Sequence, residues 1–187
     1  SSSASISLSI SESDLINLYN TNSMEFDGND FIRFTHQMNS SDDVGGFGDF
    51  YFSAWFKSDC TKSGFQYILA RTANGGSSFY IMIENTTIKA GFYSEISNAG
   101  INLSGGEVTC NQWQYVQFWD RASKISLAVN GEIKNEQNNS SGWTINTGNQ
   151  NHFVIGSYLS GANFPSEYGF SGLIDQVLLF SGSPDLS

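Results

Sequence analysis

Apolar and polar residues alternate with a period of two in almost every apolar segment, as in strands buried on one face. Residues 50–57 show this most clearly, since one face carries Phe50, Phe52, Ala54 and Phe56. The opposite face carries Tyr51, Ser53, Trp55 and Lys57. The same pattern predicts strands over residues 67–70, 79–84, 88–92, 115–119, 125–129, 153–157 and 170–180. No long segment has helical periodicity, so we expect less than about 10% helix.

Turn-forming residues fill the gaps between these strands. Asn130-Gly131 predicts a tight hairpin because both central residues of that turn need a positive φ, and Asn85-Thr86 predicts a second turn. Many short strands with frequent turns indicate a two-sheet antiparallel sandwich or jelly roll. We expect one domain over residues 1–187, in which residues 1–12 form either a linker or an edge strand.

Composition narrows the class of partner. The 187 residues carry a formal net charge of −10, so a polyanion such as nucleic acid would be repelled. Thirty Ser and 18 Asn make the polar residues mostly hydroxyls and amides. No apolar run approaches the roughly 20 residues of a membrane-spanning helix, so we expect no membrane insertion. These features predict a secreted protein or one on an extracellular or virion surface.

The two cysteines, Cys60 and Cys110, both lie in polar turn sequences rather than in apolar runs. This context favours a disulfide over two free thiols. The bridge would close a loop of about 50 residues and stabilise the fold by about 3–4 kcal/mol in the loop-entropy model.

A candidate binding surface comes from the phase of residues 115–119. Val116 and Phe118 face the predicted core, so Tyr115, Gln117 and Trp119 face away from it. Tyr51 and Trp55 have the same outward phase on their own strand. Flat rings beside amides suit sugars, whose C–H faces pack on aromatic rings while their hydroxyls form hydrogen bonds. The alternative is that the N-terminal arm or loops cover these rings.

Five motifs in order resemble the concanavalin A-like domains of the laminin-G and pentraxin type. The motifs are FDGNDFI at 26–32, SAW at 53–55, QWQYV at 112–116, LAVNG at 127–131 and FSGLIDQV at 170–177. The resemblance implies a jelly-roll sandwich that binds carbohydrate or protein within a secreted enzyme, an adhesin or a viral fibre. Gln176 departs from the family pattern by replacing a usual Glu. Gln117 and Trp119 also depart from it, because they stand where small residues are usual.

The resemblance also implies a structural calcium near the opening loop and the closing strand. Asp27, Asp30 and Asp175 stand at the matching positions, and carboxylates with backbone carbonyls are the ligands that calcium prefers. The alternative is that these are solvated turn aspartates.

Enzymes of similar fold carry motifs that this sequence lacks. The hydrolase pattern E-x-D-x-x-E has its nearest match at residues 12–17, where Asn17 replaces the final acid. A strand like that of alginate lyases occurs at residues 87–95 without its partner motifs. We therefore predict a non-catalytic carbohydrate-binding module with a glycan or polysaccharide as partner. The alternative is a structural or adhesive domain, and a polysaccharide lyase or glycoside hydrolase ranks third.

Overall fold

The computed structural model describes residues 23–34, 50–73, 76–94, 99–121, 123–139, 152–158 and 165–181. The predicted linker or edge strand at residues 1–12 lies outside these ranges. The strands are β1 (Met24–Asp27), β2 (Ile32–Phe34), β3 (Phe50–Ser58), β4 (Phe65–Ala73), β5 (Gly76–Glu84), β6 (Thr87–Ser94), β7 (Ala99–Glu107), β8 (Gln114–Arg121), β9 (Lys124–Val129), β10 (Glu132–Asn138), β11 (His152–Ile155) and β12 (Ser171–Ser181).

The strands form two six-stranded antiparallel sheets. The first sheet has the order β1-β12-β3-β8-β9-β10, and the second has the order β2-β11-β4-β5-β6-β7. The chain crosses between the sheets several times, which places β3 between β8 and the last strand, β12. This arrangement confirms the predicted jelly-roll sandwich.

The core lies between the sheets and is rich in phenylalanine. The predicted inward face of β3 is confirmed, since Phe50, Phe52, Ala54 and Phe56 are all at most 1% exposed. Phe52 stacks on Phe79 of the second sheet with ring centroids 4.2 Å apart. Because such rings remove a large apolar area from water, this interleaved layer holds the sheets together.

The predicted turns are present. Asn130 and Gly131 have φ angles of 53° and 80°, as their hairpin requires, and Asn85 has a φ of 58°. Among the described residues, helix is limited to a single 3₁₀ turn, Ser166–Tyr168. No helix in these ranges is long and apolar enough to span a bilayer.

Candidate functional site

The register of β3 and β8 brings the five predicted binding residues together on the outer face of the first sheet. Tyr51 lies opposite Trp119, and Trp55 lies opposite Tyr115. Gln117 lies between Tyr115 and Trp119 on the same face of β8. We call this set, Tyr51, Trp55, Tyr115, Gln117 and Trp119, the aromatic surface.

A directed chain of hydrogen bonds runs through the aromatic surface. Tyr115 donates its hydroxyl proton to Ser53 Oγ at 3.0 Å. The Tyr51 and Tyr115 hydroxyls are 3.0 Å apart, so Tyr51 is the donor in that pair. Gln117 Nε2 donates to the Tyr51 hydroxyl at 2.8 Å. Each hydroxyl in this chain therefore has a defined donor and acceptor role. The chain fixes the side-chain amide of Gln117, whose nitrogen faces Tyr51 and whose oxygen points away from it.

Exposure differs within this set. Tyr51 is only 5% exposed, so the expectation that its ring is open to a ligand is wrong. Its strand phase was predicted correctly, but period-two alternation does not show whether the outer face is covered. Trp55, Tyr115, Gln117 and Trp119 are partly exposed, and these four can reach a ligand.

The partly exposed rings of the aromatic surface pack against neighbouring rings. Trp55 and Tyr115 are stacked, with centroids 5.0 Å apart and planes at 27°. The ring centroids of Trp119 and Tyr51 are 6.4 Å apart. Opposite Trp119 and Gln117, β9 carries the small residues Ser126 and Ala128, both buried. The indole of Trp119 therefore lies beside small side chains.

The tyrosine hydroxyl at the centre of the surface stays neutral over the physiological range. Burial raises the pKa of Tyr115 to about 12. A neutral phenol keeps both its donor and its acceptor function, so the hydrogen-bond chain is intact at neutral pH.

A second aromatic cluster lies on the outer face of the other sheet. The cluster consists of Tyr67, Tyr80, Tyr158 and Tyr168. Tyr67 stacks on Tyr158 at 4.9 Å and meets Tyr168 edge-on at 5.8 Å. The sequence signal for this cluster was the outward phase of Tyr67 and Tyr80, which is opposite to that of the buried isoleucines beside them. Because these tyrosines pack on one another, their mutual contacts occupy much of the ring surface.

A polar groove of about 390 Å³ lies at the end of the first sheet. Its hydrogen-bonding side chains include Glu25, Asp27, Lys57, Asp59 and Asn111. Burial acts to raise the pKa of Asp59, but hydrogen bonds from Ser171 and Thr61 outweigh it and hold the pKa below its usual value. Lys57 shares a face of β3 with Trp55, so this groove adjoins the aromatic surface.

The structure places two of the predicted calcium ligands side by side, since Asp30 Oδ2 accepts the backbone N–H of Asp27 at 3.4 Å. Asp175 does not join them. Asp27 lies opposite Ser171 in the β1–β12 register, and Asp175 is four positions further along β12, roughly 13 Å away along the strand. Asp27 Oδ1 instead accepts the backbone N–H of Asn29 at 2.8 Å. The described residues contain no group of three or more His, Cys, Asp or Glu side chains that could hold a metal ion.

Cys60 and Cys110 are joined by a disulfide, with Cα atoms 5.5 Å apart. The bridge links the segment after β3 to the segment before β8, the two strands that carry the aromatic surface. Nearby, the backbone N–H of Asn111 donates to the Ser58 carbonyl at 2.7 Å, so hydrogen bonding reinforces this connection.

Several solved structures resemble this fold. The CBM40 domain of the Ruminococcus gnavus IT-sialidase, bound to α2,3-sialyllactose, is 15% identical with a TM-score of 0.71 and covers 88% of this chain and 93% of its own. Domain 4 of AbnA, an extracellular arabinanase from Geobacillus stearothermophilus in complex with arabinotriose, is 17% identical with a TM-score of 0.58, covering 90% and 74%. The SAP-like pentraxin of Limulus polyphemus is 17% identical with a TM-score of 0.60, covering 83% and 73%.

The sequence comparison agrees with the fold. No curated protein sequence matches the chain significantly. A family profile described as the concanavalin A-like lectin/glucanases superfamily matches residues 26–184, most of the chain. The chain therefore belongs to the concanavalin A-like lectin/glucanase superfamily.

Proposed function

We propose that this domain is a non-catalytic carbohydrate-binding module that holds a neutral oligosaccharide on the aromatic surface. The observation that carries the proposal is the side-chain amide of Gln117. Its nitrogen is committed to Tyr51, while its oxygen accepts no hydrogen bond from any described residue. Gln117 itself lies between Tyr115 and Trp119 on the same face of β8, and the rings of both neighbours are partly exposed.

This geometry suits a pyranose or furanose ring. The apolar C–H face of a sugar packs on Trp119 or on the Trp55–Tyr115 stack, and a hydroxyl donates to Gln117 Oε1. The hydrogen-bond chain fixes the amide before the ligand arrives, which reduces the entropy lost on binding.

The structural neighbours support a glycan as the partner. Two of them were solved with oligosaccharides, one with sialyllactose and one with arabinotriose. The net charge of −10 opposes association with an anionic sugar. Charge therefore favours a neutral ligand such as arabinotriose over sialyllactose.

In the part of the chain that the structure describes, two carboxylates border the aromatic surface, and their separation disfavours hydrolysis. Asp175 lies opposite Trp55 on β12, and Glu136 lies opposite Ser126 on β10. Four strand spacings separate β12 from β10, or about 19 Å. Glycosidases need their two carboxyl groups about 5–9.5 Å apart. Glu136 is also bound to Lys124 at 2.6 Å.

A location outside the cell follows from the same proposal. The Cys60–Cys110 disulfide is of the kind that persists in oxidising compartments. A polysaccharide ligand would be met there.

The proposal predicts that Trp119→Ala weakens glycan binding by about 1–3 kcal/mol, or about 5–150-fold in Kd, because a stacking ring is lost. A glycan array that includes arabinotriose and α2,3-sialyllactose selects the ligand, and calorimetry gives the Kd. Trp113→Ala is the matched control, because Trp113 is 40% exposed and precedes β8 outside the aromatic surface. An array without a binder, or equal Kd values for wild type and Trp119→Ala, would contradict the proposal.

A further inference from the structure

Lys62 lies in the loop between the disulfide and β4, and its ammonium group is surrounded by backbone carbonyls. Nζ donates to the carbonyl oxygens of Ser166 at 2.6 Å, Gly169 at 2.9 Å and Gly28 at 3.2 Å. An ammonium has three N–H donors, so these three bonds use its full capacity. We call these three oxygens the carbonyl cage.

The cage joins two distant parts of the chain. Gly28 belongs to the opening loop after β1, whereas Ser166 and Gly169 belong to the segment just before β12. A Cβ on Gly169 would collide with the Gly28 carbonyl, and a Cβ on Gly28 would lie 2.9 Å from the Lys62 side chain. The close approach of the three oxygens therefore depends on glycine at two positions.

The groups around the Lys62 ammonium affect its positive charge in opposite ways. Burial lowers the pKa of Lys62, and the attraction of Asp27 and Asp59 opposes that effect. Three carbonyl dipoles that point at one position stabilise a positive charge there. A calcium ion would need six to eight oxygens at about 2.3–2.6 Å, and the ammonium already occupies the position where these carbonyls converge.

We propose that the Lys62 ammonium is the structural cation of this domain and takes the place in the opening loop that family resemblance assigns to calcium. It ties the opening loop to the segment preceding the closing strand from within the chain. The cage is then a cation site whose resident cation is a side chain, and the stability of the domain does not depend on a divalent metal. This inference is independent of the proposed glycan function.

The same cage holds part of the second aromatic cluster in position. Tyr168 lies between Ser166 and Gly169, and its ring packs edge-on against Tyr67 and Tyr158. Loss of the ammonium should therefore also alter the near-ultraviolet circular dichroism of the tyrosines.

The test compares melting temperatures of wild type, Lys62→Met and Lys62→Ala in EDTA and in CaCl₂. We expect one wild-type Tm in both buffers and a Tm lower by roughly 5–10 °C for both variants in EDTA, since three carbonyls lose a charged donor. Lys124→Met is the control, because it removes an exposed ion pair with Glu136 and should change Tm little.

Rescue distinguishes a cation site from ordinary packing. Ethylammonium chloride should raise the Tm of Lys62→Ala more than that of Lys62→Met, whose side chain fills the space, and should leave wild type unchanged. A Tm of Lys62→Met equal to that of Lys124→Met would overturn the proposal. Calorimetry of the wild type with CaCl₂ needs no variant, and saturable binding that raises the wild-type Tm would also overturn it.

Discussion

Replacing Cys60 and Cys110 together with serine is expected to lower the free energy of unfolding by about 3–4 kcal/mol and the Tm by roughly 10 °C. The bridge spans a sequence separation of 50 residues, so its removal restores much conformational freedom to the unfolded chain. The loss should be large because the bridge also connects the ends of β3 and β8, the central strands of the first sheet.

Urea denaturation of the wild type, with and without a thiol reductant, measures this effect. The reduced wild type should match the double serine variant, and the variant itself should not respond to the reductant. Equal urea midpoints for oxidised and reduced wild type, after thiol titration has confirmed reduction, would show that the bridge contributes no stability.

Gly156→Ala is the second change for which we expect a large loss of stability, about 2–5 kcal/mol. Gly156 has a φ of +82°, and a Cβ there would collide with the ring of Phe26. Phe26 is 3% exposed and packs edge-on against Phe170, so its ring has little room to withdraw. The backbone of Gly156 also bonds to Ile68 and Phe170, which keeps it in place.

Gly64→Ala is a matched control for this prediction. Gly64 has a φ of +85°, but a Cβ there would meet nothing within 4 Å. It should therefore show the cost of the backbone conformation alone, about 1–2 kcal/mol. Urea denaturation of both variants separates the cost of the backbone conformation from the cost of the collision. Equal losses in the free energy of unfolding would contradict the proposed collision with Phe26.

The sequence predicted the central strands and their faces well because a single period-two pattern dominates them. In β3 and β8 every second side chain is buried in the core, and the core consists of large apolar residues that mark the phase clearly. The Asn130-Gly131 hairpin was predicted equally well, since few residues other than Asn and Gly accept the required φ.

Four strands, β1, β2, β7 and β10, are absent from the predicted ranges, and two of them show why. β10 has the sequence EIKNEQN, pairs with a single strand at the edge of its sheet and is almost entirely exposed. It has no buried face, so it has no apolar alternation to detect. β7 buries Ile101 and Leu103, and the Ser-Gly-Gly stretch that follows them is typical of turns. Hydrogen bonding to β9, rather than burial of its own side chains, defines β10.

The candidate site was predictable in part. Strand phase placed the five residues of the aromatic surface on one face, and register then brought them together. The hydrogen-bond chain from Gln117 to Ser53 could not be predicted, because it depends on that register. The carbonyl cage was even harder to predict from the sequence. Backbone oxygens, which every residue has, accept the hydrogen bonds of Lys62, and Lys62 lies outside every family motif.

The most direct measurement of the glycan proposal follows the indole N–H signals of ¹⁵N-labelled tryptophan during titration with the glycan that the array selects. Trp→Phe variants assign the signals. Binding at the aromatic surface predicts saturable shifts at Trp119 and Trp55 with the calorimetric Kd, while Trp113 stays unchanged. Saturable binding that leaves both Trp119 and Trp55 unshifted would place the ligand elsewhere and contradict the proposed site.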